Sequence, residues 1–258
     1  MFDLYGLKEG NSRLIVSMPH SGTQLGPVSG RLTLDAMRLP DTDWHLPQLY
    51  HFIHDLDITL ISANYSRYVI DLNRDPAGAS LYPGQNVTEL CPTTLFDESP
   101  MYLPGELPDG VEIEKRRQTY YQPYHDELAR QINRLKAIHD DVILFDAHSI
   151  KSVVPRFFEG KLPDFNVGTN SGKSCYTDFE ALVYQALSRS SRHSTVLNGR
   201  FKGGFITRHY GDPVAGVHTV QLEMAQGLYM DEETLQYRQD KAGQIQPLLR
   251  SMLTQLMG

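Results

Sequence analysis

The run Val142-Ile-Leu-Phe-Asp-Ala-His-Ser149 constrains this chain more than any other stretch. Four consecutive apolar residues read as a buried strand, and the strand ends in Asp146, Ala147, His148 and Ser149. In open α/β sheets ligands bind in the crevice outside the carboxyl ends of the strands, so a strand with Asp and His at its tip marks a candidate site. The pattern recurs. Leu14–Met18 leads into Pro19-His20-Ser21-Gly22, Thr219-Val-Gln-Leu-Glu223 ends in a carboxylate, and Arg67-Tyr-Val-Ile-Asp-Leu-Asn73-Arg74 ends in an amide and a cation. Four strands presenting His, His, Glu and Asn-Arg have the composition of a metal-assisted hydrolase: imidazoles for a metal, a carboxylate base, and a cation for an anionic substrate.

Short apolar runs alternate with longer amphipathic ones, the signature of an α/β layer fold, and 258 residues suit one domain spanning 1–258. A helix is expected from Trp44 to His54, where Leu46, Leu49, Tyr50 and Ile53 recur at helical spacing, with Asp41 or Thr42 as its cap. Ile58–Ser62 and Arg67–Arg74 read as strands. Pro76 to Pro108 is rich in proline and lacks periodicity, which makes it a long surface excursion, and its aromatic residues favour an ordered lid. Glu112–Ile138 reads as the longest helix, 160–177 as a loop, Asp178–Arg189 as a helix, Gly203–Gly211 as a flexible segment, and 232–257 as a closing amphipathic helix.

Composition excludes several classes. A hydrophobic content of 40% and a charged content of 21% are those of a globular enzyme, not of a disordered or fibrous chain. A net charge of −7 argues against nucleic acid or an anionic membrane surface as partner. Two cysteines, Cys91 and Cys175, form no disulfide framework, so a reduced, cytoplasmic setting is expected. The N-terminal residues form no sustained apolar run, and no run of about 18 apolar residues occurs, so neither secretion nor a membrane span is expected.

Catalytic zinc keeps three protein ligands and one position for water. His20 and His148 come from separate strands, an arrangement that lets two imidazoles converge. Asp43 is the first choice for the third ligand and Asp41 the second. Asp146 is a candidate acceptor for the second nitrogen of a ligating imidazole. His51 and His54 read as exposed polar positions, and the absence of a Gly-x-Ser-x-Gly elbow argues against a serine hydrolase.

Pro19-His20-Ser21-Gly22, Asp41-Thr-Asp43-Trp44, Tyr65-Ser-Arg67-Tyr68 with Asp71-Leu-Asn73-Arg74, Asp146-Ala-His148-Ser149, and Gly204–Gly211 followed by Gln221-Leu-Glu223 together resemble the N-formylglutamate amidohydrolase family. The matches run in order from about residue 13 to residue 230, and five in sequence are specific where each alone is weak. The resemblance implies a zinc-carboxypeptidase-like (phosphorylase/hydrolase-like) fold, an α/β domain with a mixed central sheet flanked by helices. It also implies hydrolysis of N-formyl-L-glutamate to formate and L-glutamate, the closing step of one histidine-degradation route.

By the same resemblance His20, Asp43 and His148 would hold the metal. Zinc is the first expectation, and cobalt, manganese or iron are the alternatives. Glu223 would be the base that activates water, and Asn73 and Arg74 the clamp for a substrate carboxylate. Such a substrate is a small dianion and requires at least two cationic or strong-donor positions, for which the planar fork of arginine is suited. Arg74 is the first candidate, Arg208 the second and Arg67 the third. His209 is a candidate oxyanion donor. Two competing readings are an amidohydrolase for another N-acyl acidic amino acid and a non-catalytic protein that binds an acidic metabolite.

Overall fold

Leu14, Val16 and Met18 face one side of their strand and Ile15 the other, and all four are buried. Ile143 and Phe145 are likewise opposed to Val142 and Leu144. A continuous apolar run of this kind is what a strand covered on both faces requires. The structure, a computed structural model, describes residues 3–79 and 87–258. Its described strands are β1 (Tyr5–Lys8), β2 (Leu14–Met18), β3 (Thr59–Ala63), β4 (Val142–Ile150), β5 (Phe165–Gly168), β6 (Thr195–Leu197) and β7 (Val217–Ala225). They form one sheet in the order β1-β3-β2-β4-β7-β5-β6. β1 is antiparallel to β3 and β5 to β7, while the remaining pairs are parallel, so the sheet is mixed as expected.

The α-helices are α1 (Leu34–Met37), α2 (Leu46–Leu49), α3 (Gly110–Arg116), α4 (Gln122–Lys136), α5 (Thr177–Ser188), α6 (Phe205–Tyr210) and α7 (Gln239–Met257). On one face of the sheet Leu46 and Leu49 of α2, Val183 and Leu187 of α5, and Ile245, Leu249, Met252 and Leu253 of α7 pack on β2, β4 and β7. On the other, Tyr124, Leu128, Ile132 and Leu135 of α4 pack on Ile15, Ile61 and Leu144. Full burial of each such side chain is worth roughly 1.5–3 kcal/mol, so these two layers fix the sheet between helices.

Several sequence expectations change, among them the cap of α2, whose N-cap is His45 with no side-chain hydrogen bond and not Asp41 or Thr42. Arg67–Arg74 is not a strand: the Ser66 Oγ and carbonyl accept from the Tyr68 and Val69 N–H groups, and the Asp71 N–H donates to the Leu90 carbonyl, so the chain turns. The expected loop 160–177 contains β5, and the expected flexible segment 203–211 contains α6. The Trp44–His54 run divides into α2 and a 3₁₀ turn, His51–Asp55, in which His51 and His54 are exposed. Of the excursion 76–108, residues 80–86 lie outside the described residues. Leu95, Met101 and Tyr102 are buried against Val28, Leu32, Tyr68 and Val69, which orders that part.

The long helix begins at Gly110, where the Asp109 carboxylate caps the Glu112 N–H at 2.8 Å, and it is interrupted by a π turn, Arg117–Tyr121, between α3 and α4. π turns inside α-helices are frequent at functional sites. Here the turn aims Tyr121 at the Arg74 carbonyl (2.9 Å), and one turn later His125 Nε2 donates to the Leu72 carbonyl (2.9 Å). Two side chains of the helix thus hold the 72–74 turn from behind.

Burial, above all, pushes the His125 imidazole from 6.5 down to about 4, so the ring is neutral in the folded state. A depressed folded pKa contributes stability that is complete above the unfolded value and is lost as pH falls toward the folded one, up to ~3 kcal/mol here. Urea unfolding of wild type and His125→Gln at pH 7.5 and pH 4.5 is expected to show the larger acid loss in wild type. Equal losses would assign the acid sensitivity to other groups.

Candidate active site

β2, β4 and β7 lie side by side and parallel, so their carboxyl ends open on one edge. His148 of β4 is in register with Glu223 of β7, and Ser17 of β2 with Asp146 of β4, which leaves His20 just beyond the end of β2 beside His148. The imidazole rings of His20 and His148 are 4.8 Å apart between centroids. Asp43 precedes α2, and its N–H donates to the His20 carbonyl at 3.1 Å, which ties the two backbones together. Gly22 lets the loop after His20 pass close to the segment that follows β3, because a Cβ there would sit 2.2 Å from the Tyr65 carbonyl oxygen.

Each histidine is oriented by its own carboxylate. His20 Nε2 is 2.7 Å from Asp71 Oδ1, and His148 Nε2 is 2.9 Å from Asp146 Oδ2. Both Nδ1 atoms consequently face Asp43 Oδ2, at 3.9 Å for His20 and 3.1 Å for His148. Donor atoms of His20, Asp43 and His148 all lie within 4.8 Å of one another, and the three residues are buried. Carboxylates that fix the remote nitrogen of an imidazole and leave the other for a cation are the usual surroundings of metal-ligating histidines. The donor set, two imidazole nitrogens and one carboxylate oxygen, fits a divalent metal. Expected second, Asp41 is turned elsewhere: its Oδ2 accepts from the Tyr68 hydroxyl at 2.8 Å and the Phe96 N–H at 3.1 Å, and burial raises its pKa to about 6.

Electrostatics separates the groups. Burial, reinforced by Arg67, lowers the pKa of His20. For His148 burial works in the same direction, but Asp146 and Asp43 outweigh it and raise the pKa well above its ordinary value. Burial would raise Asp71, yet Arg67, Arg74 and His20 hold it well below the usual carboxylate range. Glu223 is buried beside the cluster, and burial, opposed by His148 and reinforced by Asp43, pushes it up to about 8.

His20, Asp43, His148 and Glu223 line a cavity of about 430 Å³, within the range of small-molecule sites. Arg67 lies in its wall, with Nη2 2.6 Å from Asp71 Oδ2, Nη1 3.9 Å from Asp43 Oδ1 and the guanidinium over the Phe96 ring. Its Nε has no hydrogen-bond partner among the described residues. Arg74 also lines the cavity, and it donates to the Thr88 carbonyl and hydroxyl. Asn73 reaches three groups: its Nδ2 is 2.9 Å from His148 Nε2 and 3.2 Å from Asp146 Oδ2, and its Oδ1 accepts from the Ile206 N–H at 2.7 Å. The amide therefore braces both Asp146 and His148. Gly204 must be glycine for this, since a Cβ would lie 2.4 Å from Asn73 Nδ2.

Arg208 and His209 are not among the described residues that line the cavity. Both sit in the last turn of α6, where Arg208 Nε donates to the Gly203 carbonyl and exposed His209 stacks on Phe205. Sequence reasoning assigned no role to Asp71, although its motif included the residue, and it passed over Arg200, Phe157 and Phe201, which line the cavity. Val87, Thr88, Glu89, Leu90 and Phe96 of the 76–108 excursion line it as well.

Comparison with known proteins agrees with this geometry. The family described as N-formylglutamate amidohydrolase matches residues 12–230. An N-formylglutamate deformylase of Pseudomonas putida is 45% identical over 251 residues, covering 96% of this chain and 94% of its own. One from Pseudomonas aeruginosa is 45% identical over 259 residues, covering 100% of this chain and 97% of its own. In fold, the crystal structure of an N-formylglutamate amidohydrolase from Ralstonia eutropha JMP134 is similar, with a TM-score of 0.82 over 98% of this chain and 96% of that one at 23% identity. A gene product of Agrobacterium tumefaciens has a TM-score of 0.69 at 18% identity, over 100% of this chain and 97% of its own. With a family match across most of its length and relatives at 45% identity end to end, the chain belongs to the N-formylglutamate amidohydrolase family of amide-hydrolysing enzymes.

Proposed function

We propose that the protein hydrolyses N-formyl-L-glutamate to formate and L-glutamate in a metal-dependent reaction, as in the closing step of a histidine-degradation route. The observation that carries this reading is the buried edge where the Nδ1 atoms of His20 and His148 turn toward Asp43 beside Glu223. His20, Asp43 and His148 would hold the metal, with zinc as first choice and cobalt, manganese or iron as alternatives. When bound, such an ion polarises the amide carbonyl and acidifies water.

The chain's own groups supply the rest. Glu223 takes a proton from the attacking water and returns it to the leaving nitrogen as the C–N bond breaks, so that the water oxygen ends on formate. Burial that raises the proton affinity of Glu223 suits a group with this double task. Arg67, fixed by Asp71, offers a rigid guanidinium to the charge that develops on the carbonyl oxygen. Arg74 pairs with one substrate carboxylate. Asn73, at the cavity wall, would position Asp146 and His148, whose oxygen and nitrogen lie 3.2 Å and 2.9 Å from its Nδ2.

Formate release from N-formyl-L-glutamate is expected from the purified protein, lost on chelation and recovered with Zn²⁺ or Co²⁺. Release that survives complete removal of metal would overturn the metal-dependent mechanism. A second reading, a larger N-acyl group on the same acidic amino acid, is favoured by one observation: a 430 Å³ cavity has room beyond a formyl group. Faster turnover of N-acetyl- or N-succinyl-L-glutamate would select it.

A further inference from the structure

We propose that Arg200 is the second carboxylate-binding position of the cavity, and that it makes the enzyme prefer dicarboxylic N-acyl amino acids over their neutral counterparts. This rests on the reaction assigned above. A dianion needs two cationic positions, and among the described residues the arginines that line the cavity are Arg67, Arg74 and Arg200. Arg67 is engaged with Asp71 and lies against Asp43, which suits it to the reacting carbonyl and not to a carboxylate. Arg208 sits in the last turn of α6 outside the lining. Arg74 and Arg200 therefore carry the two carboxylates.

Their positions in the fold agree. Arg74 follows β3 and Arg200 follows β6, on opposite sides of β2, β4 and β7 in the sheet order; β6 runs antiparallel to β7, so it is the segment after β6, and not the strand end itself, that brings Arg200 to the cavity. The segment that bears Arg200 is fixed against β5. The Asn198 N–H donates to the Val167 carbonyl at 2.7 Å, and the Asn170 N–H to the Lys202 carbonyl at 2.6 Å. At Gly168 a Cβ would lie 2.6 Å from the Gly203 nitrogen, so glycine is what allows this close approach. The guanidinium itself is held on two sides: Nε donates to the Phe157 carbonyl, and Cζ lies 5.4 Å from the centre of the Phe201 ring. A planar fork held in this way loses little further freedom when it pairs with a carboxylate, which favours a specificity contact.

The test compares N-formyl-L-glutamate with N-formyl-L-glutamine, which differs only in replacing the distal carboxylate by a neutral amide. Kinetics of wild type, Arg200→Met and Arg200→Lys are measured on both, and inhibition constants replace kcat/KM where the neutral substrate turns over too slowly. Arg200→Met is expected to lose roughly 10- to 100-fold in kcat/KM on the glutamate substrate, the worth of a charge-assisted pair, mainly through KM. The glutamine substrate is expected to change little, so the preference collapses, and Arg200→Lys is expected to restore part of it. An undiminished preference in Arg200→Met, or an equal loss on both substrates, overturns the assignment while leaving the reaction intact. Absence of formate from wild type with N-formyl-L-glutamate overturns the reaction itself and the assignment with it.

Discussion

Replacing Glu223 by glutamine is expected to lower kcat by roughly 10²–10⁴-fold, the range typical of a lost general acid–base, while the protein keeps its metal. The two effects separate because Glu223 lies beside the donor set and outside it: His20, Asp43 and His148 supply the three converging atoms. Glutamine has nearly the shape of glutamate and can still meet the Gln221 amide, 3.4 Å away. It cannot take up a proton, so water activation and protonation of the leaving nitrogen fail together. Formate release measured beside metal content by elemental analysis checks both halves. Near-normal kcat in the variant would sink the assignment of the base, and loss of the metal would make Glu223 a ligand.

Strand-tip chemistry was legible because it follows from alternation. Asp146 and His148 are two residues apart on one strand and therefore share a face, which is how Asp146 comes to orient the imidazole. His20, Asp43, His148 and Glu223 could be proposed from short apolar runs that end in polar residues. The Arg67–Arg74 segment misled because Tyr68, Val69, Ile70 and Leu72 mimic a strand. What bends it is the Leu90 carbonyl, a partner nearly twenty residues downstream that local pattern cannot disclose. The same turn brings Asp71 to His20 and Arg67, so the role of Asp71 was invisible for the same reason. At 203–211 the paired glycines suggested mobility, whereas Gly203 and Gly204 make room for Thr207 and Asn73 at the start of a helix. Helical spacing then places Arg208 and His209 in the last turn of α6. Arg200 depends on β5 entering antiparallel beside β7, and a segment whose composition reads as loop gives no sign of that.

His148→Ala is expected to lose both metal and turnover. The substitution deletes one of three donors and also the group placed between Asp43 and Asp146. Those carboxylates, with Glu223 nearby, would remain buried after their shared partner is gone. Removing one member of a buried charged pair typically costs about 3–5 kcal/mol, so the variant should unfold at a markedly lower temperature than wild type. Asp146→Asn supplies the graded comparison: it keeps the imidazole and replaces the carboxylate that orients it, and such outer partners are worth roughly 10–100-fold in metal affinity. Metal titration should therefore rank wild type above Asp146→Asn, and Asp146→Asn above His148→Ala, with formate release following the same order at limiting metal. Retention of a full metal equivalent by folded His148→Ala would remove His148 from the ligand set. An Asp146→Asn variant with wild-type affinity would instead show that packing around His148, and not the Asp146 carboxylate, fixes the ring.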